Sequence, residues 1–110
     1  MTRHVRAYIE DIVTSIDSIA SFLTDVPDVG VYNQRLIVRR AVERELEIIG
    51  EAVSQLLAAS LDLMIPEARK IIGMRNRIIH GYSRVDNLLV FTTAVEILPG
   101  FRASIQNLIE

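Results

Sequence analysis

Apolar residues recur three and four positions apart through almost the whole of this chain, and no stretch alternates with period two. In the first segment they fall at Val5, Tyr8, Ile9, Ile12, Val13, Ile16, Ile19, Ala20, Phe22 and Leu23, one helical face held for about five turns. A stripe of that period can be buried only against other helices, since a sheet needs alternation. Asp25-Val26-Pro27-Asp28-Val29-Gly30 is expected to end the first helix, because Pro and Gly disfavour continuation. A second helix is expected from about Asn33 to Ala59, with Leu36, Ile37, Ala41, Val42, Leu46, Ile49, Val53, Leu56 and Leu57 on its buried side. Ser60 to Pro66 reads as a connection, and Pro66 suits the first turn of a third helix, Glu67 to His80, that Gly81 terminates. Asp86 is expected to cap a fourth helix carrying Leu89, Val90, Ala94, Val95 and Leu98. Pro99-Gly100 is expected to break or kink it before a last amphipathic segment with Phe101, Ile105, Leu108 and Ile109. The expected architecture is all-α, an antiparallel up-and-down four-helix bundle with a short extra C-terminal helix, one domain across residues 1–110.

Half of the 110 residues are apolar, more than so short a chain readily covers by itself, and a homodimer is the expected way of hiding the excess. The chain has no cysteine and two histidines, His4 and His80, so disulfides and thiolate metal sites are excluded and neither a metal nor another cofactor is expected. The first residues lead straight into the amphipathic pattern without a signal-peptide core, and the apolar runs are short, which points to the cytoplasm and away from membranes. A net charge of −2 argues against a protein that coats nucleic acid nonspecifically. The charge is uneven, however. From Arg69 to Arg84 the chain carries Arg69, Lys70, Arg75, Arg77 and Arg84 with no Asp or Glu, and eleven of its twelve basic residues are Arg. An uncompensated stretch rich in Arg suggests a local anion site, although a charge run can also be a solvated helix face.

That stretch contains Arg75-Asn76-Arg77-Ile78-Ile79-His80-Gly81-Tyr82. On a helix Asn76 and His80 share a face, while Arg75 lies about 140° around from His80 and can reach across only by its length. Such a group suits phosphodiester chemistry. A 2′-hydroxyl that attacks the adjacent phosphate must lose a proton, and imidazole does this well because its ordinary pKa is about 6.5. A guanidinium can stabilise the charge that builds on the non-bridging oxygens. Asn76 could orient the imidazole or the phosphate, Tyr82 could bind phosphate or stack on a base, and Arg77 and Arg84 could add phosphate contacts.

The wider pattern, Arg75-Asn76-x3-His80-x-Tyr82, resembles the RNase motif of HEPN domains, specifically the short HepT-like family of bacteria and archaea. Tyr8-Ile9-Glu10-Asp11-Ile12, Glu45-Leu46-Glu47-Ile48-Ile49-Gly50-Glu51-Ala52, Ile71-Ile72-Gly73-Met74 and Val85-Asp86 resemble the same family in order and distance, so the likeness covers nearly the whole chain. The resemblance implies a HEPN-like bundle that dimerises with both Arg–His motifs in a cleft at the interface. It implies a toxin that cuts RNA without a metal, with tRNA one candidate substrate and with Arg75 and His80 essential. It implies a partner too, a minimal nucleotidyltransferase antitoxin that transfers AMP to the motif Tyr, here Tyr82. Two departures stand out: Glu67-Ala68 where the family often has Pro-Trp, and Ser83-Arg84 where many relatives have Phe-Gly.

Two other readings are open. In one, the dimer docks a nucleotidyltransferase or a nucleotide and cuts nothing. In the other, the dimer is purely structural, with Arg75 consumed in an intramolecular ion pair and His80 buried or capping. Among single residues, Gly50 is expected to let two helices approach closely, and Glu43, Glu47 and Glu51 to be surface pairs, of which one could reach Arg75 or His80. Tyr8 and Tyr32 are expected to be packing residues with satisfied hydroxyls, His4 to be exposed, and Arg39–Glu43 to pair along the helix.

Overall fold

The computed structural model describes residues 2–60, 63–81 and 84–109. Their regular structure is helical: α1 (Arg3–Phe22), α2 (Val29–Gln34), α3 (Leu36–Ala59), α4 (Ala68–Gly81), α5 (Asn87–Thr92), a π-helical turn (Thr93–Ile97), α6 (Leu98–Gln106) and a 3₁₀ turn (Asn107–Ile109). The bundle expected from the periodicity is the one found. Helix α3 lies at its centre, with α1 and α4 packed on it and α6 closing against α1. Leu57, late in α3, shares a groove with residues 68–70 at the start of α4, whereas Gly50, a turn or two earlier, lies against Arg75. Moving back along α3 thus moves forward along α4, so the two run antiparallel.

The core follows the apolar stripes. Val5, Ile9, Ile12, Ile16 and Ile19 of α1 meet Val42, Leu46, Ile49, Val53 and Leu56 of α3, all buried. Each such side chain contributes about 1.5–3 kcal/mol on removal from water. Ile37, placed on the buried side by the periodicity, is instead 85% exposed, and Leu36 is also exposed. Ile37 lies nine residues before Leu46 in one continuous helix, so at about 100° per residue it points away from the core line. The chain does not loop from Leu23 to Asn33. Asp28 accepts a hydrogen bond from the Val31 N–H at 2.9 Å and starts α2, which gives way to α3 at Arg35.

Three other local expectations need correction. Pro66 precedes α4 rather than entering it; Glu67 takes a left-handed conformation, φ 68°, and its carbonyl receives the Ile71 N–H. Arg39 hydrogen-bonds to the Asn33 carbonyl, leaving Glu43, itself buried, to pair with Arg40 at 3.2 Å. Tyr32 is buried against Phe91, ring centres 5.4 Å apart, but its hydroxyl has no partner among the described residues. Burial, with Glu43 nearby, pushes that phenol well above its ordinary range.

Pro99 does not break the last helix. One wide turn precedes it, in which the Leu98 N–H reaches back five residues to the Thr93 carbonyl. That opens the space a proline ring and its missing donor would otherwise disturb. The helix therefore runs on from Asn87 to Ile109, 23 residues, long and apolar enough by composition to cross a bilayer. A third of that apolar window is buried in the bundle, where Val90, Ala94, Leu98, Phe101 and Ile105 join the core, while Leu88 and Val95 are exposed. Arg102 also ties it to α1 through Asp17, Nε to Oδ1 at 2.7 Å.

Candidate functional site

Helix α4 is an edge helix. Ala68, Ile71, Met74 and Ile78 form its buried line, and among the described elements it packs chiefly on α3. That line sets where the motif residues point. Arg75 falls on the flank of the line nearer α3 and is 31% exposed. Asn76, Arg77 and His80 fall outside it and are exposed. Helix α4 is described as far as Gly81, which stays helical and takes no left-handed φ, and His80 stands in its last described turn.

Arg75 is held on three sides. Its stem lies over Gly50, where a Cβ would come within 2.8 Å of the Arg75 Cγ; this glycine does allow α3 and α4 to approach closely. One terminal nitrogen donates to the Asn76 side-chain oxygen at 2.9 Å. The other pairs with Glu51 Oε2 at 3.0 Å. Nε is buried with no partner among the described residues. Asn76, read from sequence as a partner for imidazole or phosphate, thus engages the guanidinium.

Arg75 and His80 open onto different grooves of the one chain. Arg75 lines a groove of about 470 Å³ with Tyr8, Asp11, Arg44, Glu47 and Ile79. His80 lines another, of about 310 Å³, with Arg77 and Arg84 at its rim and Met74, Val85 and Leu89 among its walls. Among the described residues no carboxylate pairs with Arg77 or Arg84, whereas Lys70 is paired with Glu67 at 3.1 Å. The basic stretch read from sequence is therefore concentrated around His80. Tyr82, singled out as a stacking and modification residue, lies outside the described residues, as does Ser83.

A profile described as ribonuclease HepT-like matches residues 12–108. The chain belongs to the HepT-like ribonuclease family. It is similar to two proteins of Methanocaldococcus jannaschii named as inferred RNases. One is 32% identical over 98% of this chain and 93% of its own length; the other is 30% identical over 94% and 95%. A protein of Thermococcus cleftensis, named by inference as ribonuclease HepT, is 31% identical over 98% of both chains. No solved structure matches. For a HepT-like ribonuclease, the arrangement supplies a fixed guanidinium, an exposed imidazole on the same helix, and two further cations beside it. Sequence reasoning did not single out which carboxylate meets Arg75. The Glu43–Glu47–Glu51 row carried the signal, and Gly50 beside Glu51 marks the point where α4 comes close enough.

Proposed function

We propose that this member of a ribonuclease family is a dimeric, metal-independent endoribonuclease and the toxin of a toxin–antitoxin pair. One observation carries the reading: Arg75 and His80 lie on uncovered sides of an edge helix and open onto separate grooves. A second copy laid along α4 pools the two pairs in one cleft. There the imidazole of His80 takes the proton of a ribose 2′-hydroxyl, whose oxygen attacks the neighbouring phosphorus. The bond to the 5′-oxygen breaks, leaving a 2′,3′-cyclic phosphate and a 5′-hydroxyl once that oxygen is protonated. Arg75 stabilises the non-bridging oxygens, and Arg77 and Arg84 draw in the flanking phosphates. The proposed proton transfer is assigned to His80, the exposed imidazole on the motif helix.

The same reading includes control by a nucleotidyltransferase antitoxin in the cytoplasm. AMP on Tyr82, two residues after His80 in sequence, would add negative charge and bulk near the end of the motif and oppose RNA phosphate.

One observation favours the purely structural rival, which predicts an ion-paired Arg75: the guanidinium pairs with Glu51 at 3.0 Å. That reading also has His80 buried or capping; exposure removes the buried form, and His80 stands in the last described turn of α4. Cleavage of total RNA and of tRNA by the purified protein with chelator present separates these readings. Activity that falls about a hundredfold or more in both Arg75→Ala and His80→Ala supports the ribonuclease site. Weak activity that survives His80→Ala favours the docking module.

A further inference from the structure

We propose that Glu51 is a positioning residue: with the bare backbone of Gly50 and the side chain of Asn76, it seats the Arg75 guanidinium in the orientation that receives phosphate. This rests on the ribonuclease reading above. An arginine on a helix surface ordinarily samples many rotamers, and fixing them costs conformational entropy. Here that freedom is removed before any substrate arrives. The stem passes over Gly50 at a distance only a glycine permits, and Nε is covered. The two terminal nitrogens are pinned from different helices, one by Asn76 at 2.9 Å and one by Glu51 at 3.0 Å.

Guanidinium carries five N–H donors. Each terminal nitrogen has two, and each has one engaged, which leaves one free N–H per nitrogen for phosphate oxygens. A carboxylate beside a phosphate-binding arginine lowers affinity for any polyanion, so Glu51 is costly for binding alone. Its place is explained if orientation matters more than charge in the rate-limiting step. Removing it should then lower kcat without raising KM. A merely structural residue would not produce that split.

The test has two arms. Turnover of a defined RNA is measured for the wild type, Arg75→Ala, Glu51→Ala and Glu51→Gln. In parallel, the Arg75 side-chain N–H signals are followed by NMR in the first, third and fourth proteins. Glu51→Ala should lose about ten- to a hundredfold in kcat with KM unchanged or lower. Glu51→Gln, which keeps an oxygen in the same place, should recover most of that loss. The Arg75 terminal N–H groups should rotate freely in Glu51→Ala and stay restrained in Glu51→Gln. Arg75→Ala inactive with Glu51→Ala at wild-type rate overturns the seat while sparing the ribonuclease reading. A kcat that rises in Glu51→Ala also overturns it, because the carboxylate would then be competing with phosphate. Arg75→Ala at wild-type rate removes the reading and the seat's role together, whatever the NMR shows.

Discussion

Gly50→Ala offers a physical test with a sign rather than a size. In a helix interior, replacing Gly by Ala gains about 1 kcal/mol through backbone entropy alone. At Gly50 the new methyl would meet the Arg75 Cγ at 2.8 Å and Cδ at 3.4 Å, with the Arg75 Cβ closer still. A Cβ is fixed to its helix and cannot swing aside, so α3 and α4 must part. Overpacking of this kind costs about 1–3 kcal/mol, and loosening of the half-exposed Arg75–Glu51 pair adds little. The net expectation is a loss of up to about 2 kcal/mol, with no gain, at roughly 4–8 °C of Tm per kcal/mol for a chain of this size. Gly73 and Gly100 are the controls, because a Cβ at either meets nothing within 4 Å and neither has a positive φ. Alanine at those positions should stabilise by about 0.5–1 kcal/mol. Urea unfolding followed by helical circular dichroism, at one protein concentration for all variants, reads the three signs. Gly50→Ala stabilised to the same extent as Gly73→Ala would refute the close approach of the two helices at Arg75.

Other expectations follow from particular contacts. Tyr32→Phe removes a buried hydroxyl without a partner and should raise stability by about 1 kcal/mol; a lower melting temperature would mean that the hydroxyl is bonded. Asp86 accepts the Leu89 N–H at 3.2 Å, so Asp86→Ala should cost about 1 kcal/mol while Asp86→Asn costs little, as thermal melts of the two would show. The Arg102 hydrogen bond, with that residue's charge, holds the Asp17 carboxyl below its ordinary 3.8. A depressed carboxylate contributes its stability above the unfolded value and loses it as pH falls through the folded one. The gap in stability between wild type and Asp17→Asn should therefore be full at neutral pH and close below 3.8; a gap that persists in acid would assign the effect elsewhere.

The bundle was legible because helical periodicity is a local property: the stripe from Val5 to Ile19 and the row from Val42 to Leu56 are both buried as the spacing demands. The errors have two sources. Ile37 falls off the stripe by the period itself, nine residues from Leu46 in one helix, whereas the short α2 with its Asp28 cap and the π-turn that lets the last helix pass Pro99 leave no periodic trace. At the site, the motif and the helix that carries Arg75, Asn76, Arg77 and His80 could be read from the chain. The pairing of Arg75 with Glu51 depends on how two helices register against each other, and the sequence narrowed it only to a row of three acids.

The shared cleft is tested most directly by mixing subunits. Arg75→Ala and His80→Ala, each inactive as a homodimer, are unfolded together, refolded at equal concentration and assayed on RNA with chelator present. Random pairing makes about half of the dimers mixed, and each of these holds one intact Arg75 and one intact His80 in its cleft. Pooled motifs predict that the mixture recovers roughly a quarter to a half of wild-type activity. A mixture as inactive as its two components would contradict the shared cleft and confine each site to a single chain.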